Sequence, residues 1–132
     1  MRILFVLPAY EPAWPLGAVV RCTSTLCRGL AAAGHAVTVY TTNASGTSRP
    51  LSFHPGQLVD QGGVSTFYFS PTFGCQSVFD SRALVRHLRQ TVKTYDLVYI
   101  SAVWQWIGVE AASTCVAAGV PMVTGLHGSL DE

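Results

Sequence analysis

Few stretches of this sequence carry residues able to do chemistry, and each lies beside a turn. Gly125-Leu126-His127-Gly128-Ser129 follows an apolar segment of strand length, so His127 would stand at a strand end with glycines leaving room for a ligand. Leu16-Gly17-Ala18 opens a helical pattern, where unpaired backbone N–H groups and the positive helix end attract anions. Trp104-Gln105-Trp106 follows another apolar run. Indole faces stack on sugar rings or apolar groups, and a glutamine amide bonds hydroxyls. If that segment is extended, both tryptophans share one side and Gln105 faces the other. Each feature has a plainer counterpart: an ordinary helix start, a polar loop histidine, a core tryptophan beside one that plugs a loop. The cysteines at 22, 27, 75 and 115 form no CxxC pair. On a helix Cys22 and Cys27 point about 140° apart, poorly placed to share a metal. All four read as buried, reduced thiols of a cytosolic protein, and no metal site is expected.

Several common chemistries fail on spacing. A nicotinamide site wants GxGxxG after the first strand and an acidic residue closing the second. Residues 8–18 hold one glycine, and Thr41, Thr42 and Asn43 stand where the acid should be. There is no GxxxxGK[ST] phosphate loop and no GxSxG nucleophile elbow. His127, Ser129 and Asp131 crowd into one loop of five residues, too close along the chain for the relay geometry of a triad.

The elements that must position these residues follow from periodicity. Residues 3–7 are a continuous apolar run, a strand buried on both faces. The run is short and ends at Pro8, without the small-residue cleavage site of a signal peptide. Residues 17–33 repeat apolar types at helical spacing, with Val20, Cys27 and Ala31 on one face, and residues 37–41 are β-branched. That is a βαβ unit with parallel strands. Residues 43–56 read as a loop, and 57–59 with 64–69 flank Gly62-Gly63 as a hairpin. Ser81 caps a helix reaching about Thr94, 97–100 is a strand, 107–118 a helix and 120–126 a last strand. The predicted fold is α/β: a Rossmann-like, doubly wound, mainly parallel sheet of order 3-2-1-4-5 with a small hairpin at its edge. One domain fills residues 1–132. Apolar residues make up 49% and charged residues 11%, which excludes disorder and suggests a surface normally covered by more protein. The net charge of +1 supplies no global field for nucleic acid.

Met1-Arg2-Ile3-Leu4-Phe5-Val6, Gly17 before a long helix, and residues 30–39 (LAAAGHAVTV) follow one ordered pattern. Tyr95-Asp96-Leu97-Val98-Tyr99-Ile100 and Gly119-Val120-Pro121-Met122-Val123-Thr124-Gly125-Leu126-His127-Gly128 continue it. Together they resemble the N-terminal, acceptor-side domain of family-4-type glycosyltransferases of the GT-B fold. The resemblance implies transfer of a sugar from a nucleotide-sugar to a sugar or lipid-linked acceptor, with retention of configuration and without a metal or other cofactor. It implies that His127 lies beside the donor sugar as the catalytic-centre residue. It also implies that Gly17 and Ala18 lie near the donor diphosphate; Ala18 replaces the second glycine of the family's loop. Tyr10, Trp104, Gln105 and Trp106 would face the acceptor. In the family a donor-binding domain follows, whereas this sequence ends at Glu132. The expectation is therefore a truncated transferase domain, inactive alone. The alternatives are one chain of a split enzyme served by a donor-domain partner, or a non-catalytic binding or assembly module.

Arg82, Arg86, Arg89 and Lys93 recur at i, i+4, i+7 and i+11, a basic stripe about 120° around the helix from its apolar face. Such a stripe is an ordinary solvated face or a weak contact with the inner membrane surface. The expected location is cytoplasmic, with peripheral attachment as the second reading.

Overall fold

The computed structural model describes residues 1–43, 51–70, 81–101 and 106–125. Strand β1 (Arg2–Val6) leads through a loop and a 3-10 turn (Trp14–Leu16) into helix α1 (Ala18–Ala32) and strand β2 (Ala36–Thr42). A hairpin follows, β3 (Leu58–Gln61) and β4 (Val64–Phe69), then α2 (Arg82–Thr91) with a 3-10 turn at Val92–Thr94. Strand β5 (Leu97–Ile100), helix α3 (Trp106–Ala118) and strand β6 (Met122–Thr124) complete it.

The sheet order is β3-β4-β2-β1-β5-β6. All pairings are parallel except the β3–β4 hairpin. The five strands of the expected 3-2-1-4-5 order stand as β4-β2-β1-β5-β6, and the hairpin arm adds β3 outside β4. β1 lies between β2 and β5, and its register shows why its sequence is apolar throughout. Ile3, Phe5 and Leu7 pack with Val37, Val39, Val64 and Cys27 on the α1 side. Leu4 and Val6 pack with Tyr40, Leu84, Leu88, Ile100 and Ile107 on the α2–α3 side. Side chains alternate across the sheet, so a strand covered on both faces needs apolar residues at every position. Each such side chain contributes roughly 1.5–3 kcal/mol by leaving water.

Three expectations need correction. Cys22 is exposed, not buried, because α1 turns Val20, Thr23, Ser24 and Cys27 inward; Cys27 and Cys115 are buried, and Cys75 lies outside the described residues. The last strand, Met122–Thr124, starts later than expected because the Val120 amide is used to close α3, donating to the Cys115 carbonyl at 3.0 Å; residue 126 lies outside the described residues. Trp106 begins α3, so the 104–106 segment is not extended through it; Trp104 and Gln105 lie outside the described residues. Among the described residues no helix is long and apolar enough to cross a membrane.

Candidate functional site at the strand ends

The chain crosses to one face of the sheet after β1 and to the other after β5, so the switch point opens between the C-terminal ends of these neighbours. Doubly wound sheets bind ligands in that crevice. Its rim is drawn together by backbone bonds: the Ser101 amide donates to the Val6 carbonyl at 3.3 Å, and the Gly125 amide to the Ile100 carbonyl at 2.8 Å. The Ser101 hydroxyl is buried there without a hydrogen-bond partner among the described residues. His127 follows Gly125 by two positions and lies outside the described residues.

Gly17 caps α1 with φ +103° and ψ −158°, a region that only glycine occupies readily. A Cβ added to it would meet nothing within 4 Å, so the backbone conformation, not crowding, calls for glycine there. Ala18 is exposed at the first helical position. No side chain caps this end and no acidic residue occupies the first turn. Among the described residues the leading N–H groups of α1 therefore have no side-chain acceptor from their own cap or first turn, as an anion-facing helix end requires.

The loop from β1 to α1 is held by contacts that no local pattern reveals. Thr42 donates its hydroxyl to the Pro8 carbonyl at 2.6 Å. Glu11 is buried, and its carboxylate accepts from the Arg28 guanidinium of α1 at 2.5 Å. Tyr68 of β4 donates its hydroxyl to the Glu11 carbonyl, and the Gln61 side-chain oxygen lies 3.0 Å from the same hydroxyl. Arg28 lies against the hairpin turn: a Cβ at Gly62 would fall 1.8 Å from its Nη1. One ion pair thus ties the loop, α1 and the β3–β4 hairpin together. The acid, the arginine and the tyrosine were not among the sequence candidates. Their only signal is a charged residue flanked by Tyr10 and Pro12 in an otherwise uncharged loop.

Tyr10, expected on the acceptor side, is turned inward. It is fully buried, its hydroxyl beside Cys27 and Ser24 beneath the loop but without a well-formed hydrogen bond. Burial pushes its phenol far above the ordinary range and the Cys27 thiol up to about 12, so both stay neutral. The aromatic residue the loop does present is Trp14, 39% exposed, with the Arg21 guanidinium 5.7 Å from its ring centroid. Sequence reading passed over it because only the tertiary path of the loop decides which of Tyr10 and Trp14 turns outward. Among the described residues no three His, Cys, Asp or Glu side chains group to hold a metal.

No curated protein matches the chain. Among solved structures, the C-terminal domain of a hydrogenase from Pyrococcus furiosus is similar over 95% of this chain and 91% of that one, at 15% identity and a TM-score of 0.48. That likeness is too weak to bear on chemistry. The profile of Glycosyltransferase Family 4 matches residues 19–131, from the first turn of α1 past His127. The match covers most of the sequence, and the chain belongs to Glycosyltransferase Family 4.

Proposed function

We propose that this glycosyltransferase-type domain is the acceptor-binding half of a cytoplasmic enzyme that moves a sugar from a nucleotide-sugar to a sugar or lipid-linked acceptor. Transfer retains configuration and uses no metal. A second, donor-binding domain or partner chain grips most of the nucleotide. The carrying observation is the family match over residues 19–131, and the start of α1 behind Gly17, whose cap position offers no side-chain acceptor, supports an anionic donor group there. In this reading the first-turn amides face the donor diphosphate. His127, beside the donor sugar, offers a neutral imidazole or its carbonyl to the positive charge developing at the reacting carbon. Trp104, Gln105 and Trp106 line the acceptor side. The need for a second surface is supported by the outward apolar residues of α3 and β6: Val109 and Val116 are 52% and 72% exposed, Met122 and Val123 38% and 47%.

The test is to give residues 1–132 a panel of nucleotide-sugars and saccharide or lipid-linked acceptors. The expected result is ligand-detected NMR binding of at least one acceptor and no transfer product by mass spectrometry. Turnover by the pure chain, or binding of no acceptor and no nucleotide-sugar, contradicts the reading.

A further inference from the structure

The outer sides of α2 and α3 leave a basic groove between them. A cavity of about 580 Å³ is lined by Arg82, Val85, Arg86, Arg89, Gln90 and Glu110. A second, of about 310 Å³, continues along Arg89 and Lys93 against Ser113 and Thr114 of α3. The larger volume lies in the range of small-ligand sites, roughly 300–1,000 Å³.

The charge of this groove follows from how α2 packs. Its apolar residues Leu84, Val85 and Leu88 are buried in the core, which turns Arg82, Arg86, Arg89 and Lys93 outward. Glu110 is the one carboxylate lining either cavity among the described residues, and it pairs with Arg89 at 3.3 Å. No described ion pair engages Arg86. Among the described lining residues, Arg86, Arg89 and Lys93 thus stand beside the single carboxylate of Glu110, in a protein whose overall net charge is only +1. Along the helix axis Arg82 and Arg86 are about 6 Å apart, and Arg86 and Arg89 about 4.5 Å, at 1.5 Å per residue. Arginines one turn apart on one helix face present neighbouring guanidinium groups, each able to bond a phosphate bidentately.

We propose that the α2–α3 groove binds a small soluble ligand carrying two or more linked phosphate groups, with Arg86 and Arg89 at the centre. Concavity favours this over a membrane surface, which would meet protruding side chains and not the space between two helices. With its apolar residues buried, α2 offers no face to insert into lipid. The proposal stands apart from the transfer reading, because it concerns a different face of the sheet and needs no turnover.

The probe is inorganic pyrophosphate, with tripolyphosphate as the longer form, titrated into the 132-residue chain at low salt. Binding at one site should shift the backbone amides of residues 82–93 and 110–114, and should weaken with added salt. Arg86→Gln should weaken binding at least tenfold, while Arg86→Lys, which keeps the charge but loses the fork, should fall between the two. Melting temperature reports that the exposed substitutions leave the fold intact. Sedimentation with phosphatidylglycerol vesicles distinguishes a lipid-facing surface. The proposal is overturned if neither polyphosphate binds at millimolar concentration or if Arg86→Gln leaves affinity unchanged. Amide shifts confined to the start of α1, or vesicle capture without polyphosphate binding, overturn it equally.

Discussion

Replacing Arg28 by methionine keeps most of the aliphatic stem under the hairpin turn but removes the charge that faces Glu11. The carboxylate it abandons has a side chain only 8% exposed, whereas Arg28 itself is 45% exposed. Exposed ion pairs contribute about 0–1 kcal/mol, and breaking a fully buried pair costs about 3–5 kcal/mol. With one partner buried and the other half in water, the expected loss lies between, at about 2 kcal/mol. Unfolding entropy of about 2.1 cal/mol/K per residue turns that into a fall in Tm of about 7 °C for a chain of this length. Thermal melts of the parent, Arg28→Met, Glu11→Gln and the double variant form a cycle whose interaction energy isolates the pair. Hydrogen exchange should report where the loss is felt, with faster exchange of the Ala13, Trp14 and Gly17 amides, whose bonds shape this loop. Single-variant shifts under about 2 °C with no coupling in the cycle would refute the assignment of Glu11–Arg28 as the clasp of the loop.

Gly17→Ala should cost about 1–3 kcal/mol, measured by urea unfolding, since the penalty comes from φ +103° and not from a clash. Gly62→Ala should also destabilise, and Arg28→Ala should relieve part of that loss in the same assay, because the added Cβ meets the Arg28 guanidinium. His87 packs edge-on to Tyr40 at 4.9 Å between Phe67 and Phe69, and burial lowers its pKa. The unfolded chain therefore takes up the proton first, so stability should fall as pH drops through and below the ordinary histidine range near 6.5. His87→Gln should flatten that part of the stability–pH profile; an unchanged slope would count against the burial account. β6 is a short edge strand with apolar side chains exposed, so Val123→Lys should shift size-exclusion profiles from associated species toward monomer. A parent chain that is already monomeric at all concentrations would remove the basis for that expectation.

The sequence by itself determined the strands, the helices and the winding. A strand covered on both faces must be apolar at every position, as β1 is, and a helix between two such strands forces a parallel crossover. The edge hairpin was also legible, because Gly62-Gly63 marks a turn just before the strand-forming run Val64–Phe69. Only the tertiary structure decided which polar residues serve those elements. Glu11, Arg28 and Tyr68 lie 17 and 57 residues apart along the chain, measured from Glu11, and meet because β4 lies beside β2 while the loop folds back over the strand ends. Tyr10 went into the core and Trp14 to the surface although both stand in the same proline-rich loop. The basic stripe on α2 was visible as a pattern, but its second wall comes from α3, about twenty residues downstream. Periodicity fixes the direction of a side chain relative to its own helix or strand. What that side chain meets is set by the packing of elements distant in sequence.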